Sequence, residues 1–307
     1  KYGTLGYDYG WNAAYSPYDQ GIIIVGSQSP DIGGDKDLWA IKTDEKGFVV
    51  WNQAFGGKND EEGFDVLATS DGGFLFVGYT WSYGNNQQIY LVKTNKLGAK
   101  EWEKTYGGSM WEVGYSLIEL NEGGYVIAGF SNSPGISSGN TDMLLLKLDN
   151  LGNLIWMKAY GNQEYPNHEW GNDVIQLPDN SFLLVGTIDR YDKGSKNSLI
   201  LKIDTNGNKL WEKEILGDGQ SSESGYSVCA GKSGGYFVAT GSNSVSSPDI
   251  YQPKIMKFDS FGNIEWQRTY ESSSRDYHRF SISASSNGEI FLVGSSTSNT
   301  ILGSKDD

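Results

Sequence analysis

Short apolar runs alternate with turns along the whole chain. In Leu144-Leu145-Leu146-Lys147-Leu148-Asp149 the run stops at an acid, and in Phe74-Leu75-Phe76-Val77-Gly78 it stops at a glycine. Runs of this length, bounded by Gly, Asp and Asn, suit strands. No window carries apolar residues at helical spacing over a useful length. The pattern predicts an all-β chain.

The runs repeat. Tryptophans stand at 51, 102, 156, 211 and 266. Nine residues before each is Lys42, Lys93, Lys147, Lys202 or Lys257, and four before each is Gly47, Gly98, Gly152, Gly207 or Gly262. Three before that glycine stands Asp44, Asn95, Asp149, Asp204 or Asp259. The unit K-x-[DN]-x-x-G-x-x-x-W thus occurs five times without a gap. A second motif alternates with it: a turn, then a strand closing on glycine, as in Asp71-Gly72-Gly73 to Gly78 and Glu122-Gly123-Gly124 to Gly129. Weaker versions lead to Gly26, Gly186, Gly241 and Gly294, which makes six copies.

Each copy of about 50 residues holds four strands, the signature of a propeller blade. The expected fold is a six-bladed β-propeller of four-stranded blades, one domain over 1–307. Strand A is the Gly-Phe-Asp-Val type (63–66), B is Phe-Leu-Phe-Val-Gly (74–78), C carries the lysine and D the tryptophan. The tryptophans should be largely buried between sheets. Copy five runs one residue long over Tyr236 to Gly241, which predicts a bulge there. Lys1-Tyr2-Gly3 matches the close of strand D, and Lys305-Asp306-Asp307 the entry to strand C. Blade six is therefore expected to hold A and B but to lack most of C and D, leaving an open edge, with the sequence either a fragment or completed at blade six by another segment.

Charge narrows the partners. A net charge of −14 over 307 residues repels phosphate backbones and anionic lipid. No stretch approaches the length of a membrane helix. The single cysteine, Cys229, excludes a disulfide within the chain and any cysteine-based metal site, and reads as strand packing. No cofactor is expected. Asn59-Asp60-Glu61-Glu62 supplies oxygen ligands for calcium without the full spacing of a calcium loop.

These motifs resemble the secreted propeller repeats of bacterial and archaeal surface proteins and lipoproteins, with D-G-G-Y-x-x-x-G and K-x-D-x-x-G-N-x-x-W elements. They are also similar to the tryptophan-docking repeat of quinoprotein-like propellers, D-x-x-x-G-x-x-x-W, with a loop one residue shorter here. The resemblance covers essentially the whole chain. It implies the propeller fold, an extracytoplasmic location, and membership of a cell-surface or secretion assembly of the kind found in Bacteroidota. It does not imply one activity.

Comparison among copies separates scaffold from site. Residues present in every copy hold blades together; residues present in one are free for other work. The aromatic row Trp11, Phe64, Tyr115, Tyr226 and Phe280 repeats and reads as core, with Asn172 in copy four. The small polar row Asn12, Asp65, Ser116, Asp173, Ser227 and Ser281 reads as hydrogen bonding around the channel. The A–B and C–D turns are short, whereas the B–C and D–A connections are long and irregular, and in a propeller they share a face. Functional residues concentrate on such loops. The copy-specific aromatics there are the candidate binding residues: Tyr9, Trp81, Tyr83, Trp111, Tyr165, Trp170, Tyr191, Tyr251 and Tyr277, together with Tyr7 and the histidines His168 and His278.

Three function classes stay open: a protein-binding or assembly module, a glycan-binding lectin-like propeller, and an enzyme. A carboxylate-binding arginine cluster is not evident, because only Arg190, Arg268, Arg275 and Arg279 exist and three fall in one copy. No carboxylate pair of the glycosidase kind stands out. The expectation is a non-enzymatic module that binds a protein partner through the B–C and D–A face, with no catalytic residue assigned.

Overall fold

Strands B and C read as unbroken apolar runs because both of their faces are covered. Residues alternate between the faces, so Phe74 and Phe76 pack with Val25, Leu38 and Phe55 of the preceding sheet. Leu75 and Val77 pack with Leu117, Ile127 and Leu144 of the following one. The core thus lies between adjacent sheets. The computed structural model describes residues 3, 6–31, 33–137, 140–161, 167–190, 194–217, 221–232, 234–244, 247–270 and 276–296, with backbone only at 244, 247–250, 276–279 and 295–296.

There is no helix among the described residues; every element is a strand. Blade one is β1 (Asp8–Tyr15), β2 (Ile22–Gln28), β3 (Asp37–Thr43) and β4 (Val49–Phe55). Blade two is β5 (Glu61–Ala68), β6 (Phe74–Thr80), β7 (Gln88–Thr94) and β8 (Lys100–Tyr106). Blade three is β9 (Glu112–Glu119), β10 (Tyr125–Ser131), β11 (Asp142–Leu148) and β12 (Leu154–Tyr160). Blade four is β13 (His168–Gln176), β14 (Phe182–Arg190), β15 (Ser195–Ile203) and β16 (Lys209–Ile215). Blade five is β17 (Glu223–Ala230), β18 (Tyr236–Ser244), β19 (Ser247–Phe258) and β20 (Ile264–Thr269). Then come β21 (Asp276–Ala284) and β22 (Ile290–Ser296), a two-stranded sheet. Each four-stranded sheet runs A-B-C-D in order, antiparallel where its register is defined. This is the propeller expected. The closing residues 305–307 and the opening Lys1 and Tyr2 lie outside the described residues. The chain divides into two compact units, Lys1–Gln176 and Leu177–Asp307.

The repeated residues have distinct jobs. In the C–D turn, the Asp or Asn accepts two backbone N–H groups: Asp44 from Lys46 and Phe48, Asp149 from Leu151 and Asn153. Gly47 closes that turn at φ +83°, a conformation that favours glycine. The strand C lysine reaches the acid of its own blade's A–B turn. Lys42 meets Asp19 at 2.7 Å, Lys93 meets Asp71 at 2.8 Å, and Lys202 meets Asp179 at 2.7 Å. The two sequence motifs are therefore two ends of one ion pair. Copy five has Lys232 in that turn instead of an acid, and Lys257 pairs with Glu265.

The tryptophans are less buried than expected. Trp51, Trp102, Trp156 and Trp211 are half-buried and Trp266 is 43% exposed. Trp51, Trp102 and Trp211 lie across the next blade's turn glycine. A Cβ on Gly98 would stand 2.8 Å from Trp51, and one on Gly152 2.9 Å from Trp102. In the second unit Trp211 covers Gly262 in the same way. The ring covers the rim between blades, so one face stays in water.

The aromatic row also departs from a buried core. Trp11, Phe64, Tyr115 and Tyr226 are each the extra residue of a β-bulge in strand A. Trp11 is 42% exposed, while Phe64, Tyr115 and Tyr226 are half-buried and Phe280 is buried. The bulge explains the glycine that closes strand B. A Cβ on Gly78 would fall 1.7 Å from the Glu62 carbonyl oxygen, and one on Gly129 1.8 Å from that of Val113. In copy five Thr240 occupies this ladder position, and no residue of 236–241 is skipped in either ladder, so the bulge expected there is absent; the register to β19 shifts only between Ser242 and Ser244. The apparent extra residue arises because Thr240, and not Gly241, is the counterpart of Gly78.

Candidate functional site

In the first unit the B–C and D–A loops are laced together by backbone hydrogen bonds. Glu61 N donates to Lys36 O at 2.7 Å, Trp81 N to Asp60 O at 2.9 Å, and Glu112 N to Gln87 O at 3.1 Å. Asn132 N donates to Trp111 O at 3.1 Å and Glu169 N to Thr141 O at 2.7 Å. Each D–A loop is thus flanked by B–C loops, and the two long loop classes form one surface.

Buried carboxylates anchor that surface. Glu112 Oε1 accepts the Ser131 hydroxyl at 2.7 Å, and its Oε2 accepts Gly108 N at 2.8 Å. Glu61 repeats the arrangement with Thr80 and with Gly57 N at 2.7 Å. In the second unit Glu223 accepts from Thr240. Sequence reasoning gave Glu61 only as an oxygen ligand for calcium and missed Glu112 and Glu223, although Gly57…Glu61 and Gly108…Glu112 share a spacing that would have disclosed the anchor. The proposed calcium segment is used otherwise. Glu61 is occupied as described, Asp60 accepts Lys36 N at 2.8 Å, and Glu62 pairs with Lys36 at 2.7 Å. No three His, Cys, Asp or Glu side chains converge among the described residues.

On these anchored loops sit the candidate aromatics. Trp81 and Trp111 meet edge to face, ring centres 6.4 Å apart, and are 36% and 47% exposed. Tyr83, on the same loop as Trp81, packs on Tyr90 at 5.7 Å and donates to Gly56 O at 3.1 Å. Amides border the pair: Asn59 Nδ2 donates to Trp81 O and Asn86 Nδ2 to Ser109 O. Tyr9 is exposed, stacks on Trp11 and carries the Lys36 ammonium 5.4 Å above its ring. The Glu62 carboxylate beside Lys36 holds that ammonium's pKa above its ordinary value. Tyr7 is exposed as well. His168 and Trp170 are half-buried and stacked at 5.8 Å, and His168 Nδ1 accepts Thr141 N at 3.3 Å. A ring nitrogen used as an acceptor from the backbone positions a loop.

Tyr251 is half-buried in the second unit. Tyr165 and Tyr191 lie outside the described residues, and Tyr277 and His278 are described in backbone only, on β21.

Beneath the loop face runs the polar row. Asn12 Nδ2 donates to Asp65 Oδ1 at 2.7 Å, Leu117 N donates to Asp65 Oδ2 at 2.9 Å, and Ser116 Oγ donates to Asp173 Oδ1 at 2.8 Å. In the second unit Ile282 N donates to Ser227 Oγ at 3.3 Å. Strand A is the inner edge of each sheet, so its outward N–H groups need acceptors; a small polar residue on the preceding blade supplies one. Burial pushes the Asp65 carboxyl up to about 7, with Asp173 adding to the rise, against the pull of the Leu117 and Val66 N–H groups.

No family model matches the sequence, and the comparison with curated proteins returned no match. Solved structures do resemble it. The WD40 domain of Pan2 from Neurospora crassa superposes with a TM-score of 0.56 at 11% identity, over 94% of this chain and 76% of that one. Puromycin hydrolase gives 0.51 at 12% identity, over 96% of this chain and 46% of that one. An endo-arabinase from Bacteroides thetaiotaomicron gives 0.47 at 12%, over 75% of this chain and 89% of that one. At such identities the likeness is one of fold, and the fold is that of a β-propeller. No helix of the chain is long and apolar enough to cross a membrane among the described residues.

Proposed function

We propose that this propeller is a non-enzymatic binding module that engages a protein partner outside the cytoplasm through its B–C and D–A loop face. The observation that carries the reading is the group of exposed aromatics in the first unit: Tyr7, Tyr9, Trp81, Tyr83 and Trp111. They come from blade one, the B–C loop of blade two and the loop entering blade three, so the surface is broad. Large amphipathic rings presented by pinned loops lose little entropy on binding and are typical anchors of protein interfaces. The resemblance of the repeats to secreted propellers supports the location. The fold itself does not choose between classes, since its structural relatives include a hydrolase.

A neutral glycan is the second reading, favoured by the Trp81–Trp111 pair with Asn59 and Asn86 beside it, in a stretch 81–87 without a charge. The test compares wild type with the triple variant Trp81→Ala, Trp111→Ala, Trp170→Ala. Both are assayed by quantitative affinity capture from an extracytoplasmic protein fraction and on a glycan array. Proteins held by wild type and lost by the variant, at unchanged circular dichroism, support the proposal. A tryptophan-dependent glycan signal favours the second reading. Equal capture by both proteins overturns the assignment of the face.

A further inference from the structure

We propose that the outer edge of β4 is a self-association edge, at which two copies of this chain join by antiparallel pairing of β4 with β4 about a two-fold axis. The surface is separate from the loop face and does not depend on its reading. Strand D ends every four-stranded sheet, so alternate N–H and C=O groups of β4, β8, β12, β16 and β20 face outward. Natural sheets guard such edges with charge and bulges. The bulge is present in all five: the residue before each tryptophan (Val50, Glu101, Ile155, Leu210, Glu265) is skipped in the ladder to strand C. It leaves the tryptophan and the residues after it for regular pairing.

The charge differs among copies. Two residues past the tryptophan stand Lys104, Lys158, Lys213 and Arg268 in copies two to five, and Gln53 in copy one. In a two-fold pairing of like strands, the central residue faces its own copy. Centred at this position, the pairing sets cation against cation in four blades. In β16 it also sets Glu212 against Glu214. In β4 Trp51 faces Phe55, Asn52 faces Ala54 and Gln53 faces Gln53, without a charge. The whole span 47–57 carries none. Asn52, Gln53 and Ala54 are exposed, and beside them Phe48, Val49 and Val50 are 70%, 43% and 57% exposed. The cation has a scaffold role elsewhere. Lys104 Nζ donates to Leu151 O at 2.7 Å and Asn153 Oδ1 at 2.8 Å on the next turn, and Lys213 donates to Gly262 O. Copy one forgoes that clamp and leaves its edge uncharged. A second copy is the occupant that this particular neutrality fits, because charge at the centre of the strand is what self-pairing forbids.

Each copy carries a charge of −14, so the copies repel at long range and association strengthens with added salt. Sedimentation velocity over rising protein concentration in high salt is expected to show a monomer–dimer equilibrium for wild type. Gln53→Lys, which restores the residue of the other copies, is expected to lose the dimer at an unchanged melting temperature. The register is read by Gln53→Cys in a Cys229→Ser background. Facing Cα atoms lie about 4.5–5.5 Å apart, within reach of a disulfide. Oxidation should trap a reducible dimer there. A wild type that stays monomeric throughout, a Gln53→Lys variant that dimerises equally, or no disulfide dimer at 53 overturns the proposal.

Discussion

Asp65 gives the first unit a pH dependence that can be worked out and measured. Its carboxyl sits beneath the loop face between Asn12, Leu117 and Ser116, with Asp173 beyond the serine. Ser116 has one hydroxyl proton, and that proton goes to Asp173. Burial and the neighbouring acid raise the Asp65 pKa to about 7 from an ordinary 3.8. The folded state therefore holds a proton that the unfolded state gives up. That contribution to stability is fully present below pH 3.8 and is lost as pH rises through 7. The full difference of about three units corresponds to about 4 kcal/mol, of which about 2 kcal/mol disappears between pH 5 and pH 7. Asp65→Asn cannot ionise. It keeps an acceptor for Asn12 and Val66 and surrenders the one for Leu117 N, a constant cost of about 1 kcal/mol. Urea unfolding of both proteins at half-unit steps from pH 5 to 8 isolates the slope, since the constant cost cancels. The wild-type advantage over the variant should shrink by about 2 kcal/mol across that window, then stay level above pH 7.5. Parallel curves for the two proteins would refute the assignment of a raised pKa to Asp65.

Gly78→Ala places a methyl group 1.7 Å from the Glu62 carbonyl and is expected to cost several kcal/mol or abolish soluble expression, whereas Gly47→Ala meets no atom within 4 Å and should cost about 1 kcal/mol through its φ alone; thermal melts separate the two. Glu112→Ala leaves Gly108 N and the Ser131 hydroxyl without their acceptor, an expected loss of about 1–3 kcal/mol for each orphaned group, read from the urea midpoint.

What was legible in the sequence is what the blades repeat. Spacing between tryptophans gave the period, and the glycines marked the turns. The half-exposure of Trp51 and its relatives was not legible. A large ring suggests a core, and only the geometry shows that its partner is a flat turn glycine on the next blade. Trp11 was misplaced for a related reason. Strand alternation assigns a face to every residue, and a bulge breaks that alternation without altering composition. The buried Glu112 escaped, and Glu61 entered only as a calcium ligand, because glutamate reads as surface until its acceptor roles are seen. Of the proposed site, Trp81, Tyr83 and Trp111 were identified as departures from the repeat, and the fold sets them together. Tyr251 was chosen by the same rule and is half-buried in the second unit, because a rule based on copy number does not see burial.

The same comparison among copies extends to residues that are missing. A repeat protein holds its own control for every position, since four or five blades show what the scaffold needs there. Trp81 adds a side chain that the scaffold does not require, and Gln53 withholds a charge that it otherwise uses. Both are departures in blades one and two, but they oppose different costs. An exposed aromatic carries an aggregation risk, tolerable where loops pin the ring and a partner covers it. An uncharged edge strand carries the same risk through its backbone, tolerable where a bulge limits the pairable length to a few residues. Val50 sets that limit in β4. Each departure is thus confined to a small, defined surface of one unit. A partner on the loop face and a second copy on β4 would occupy different elements, so their binding should be independent unless the loops between β3 and β5 couple them.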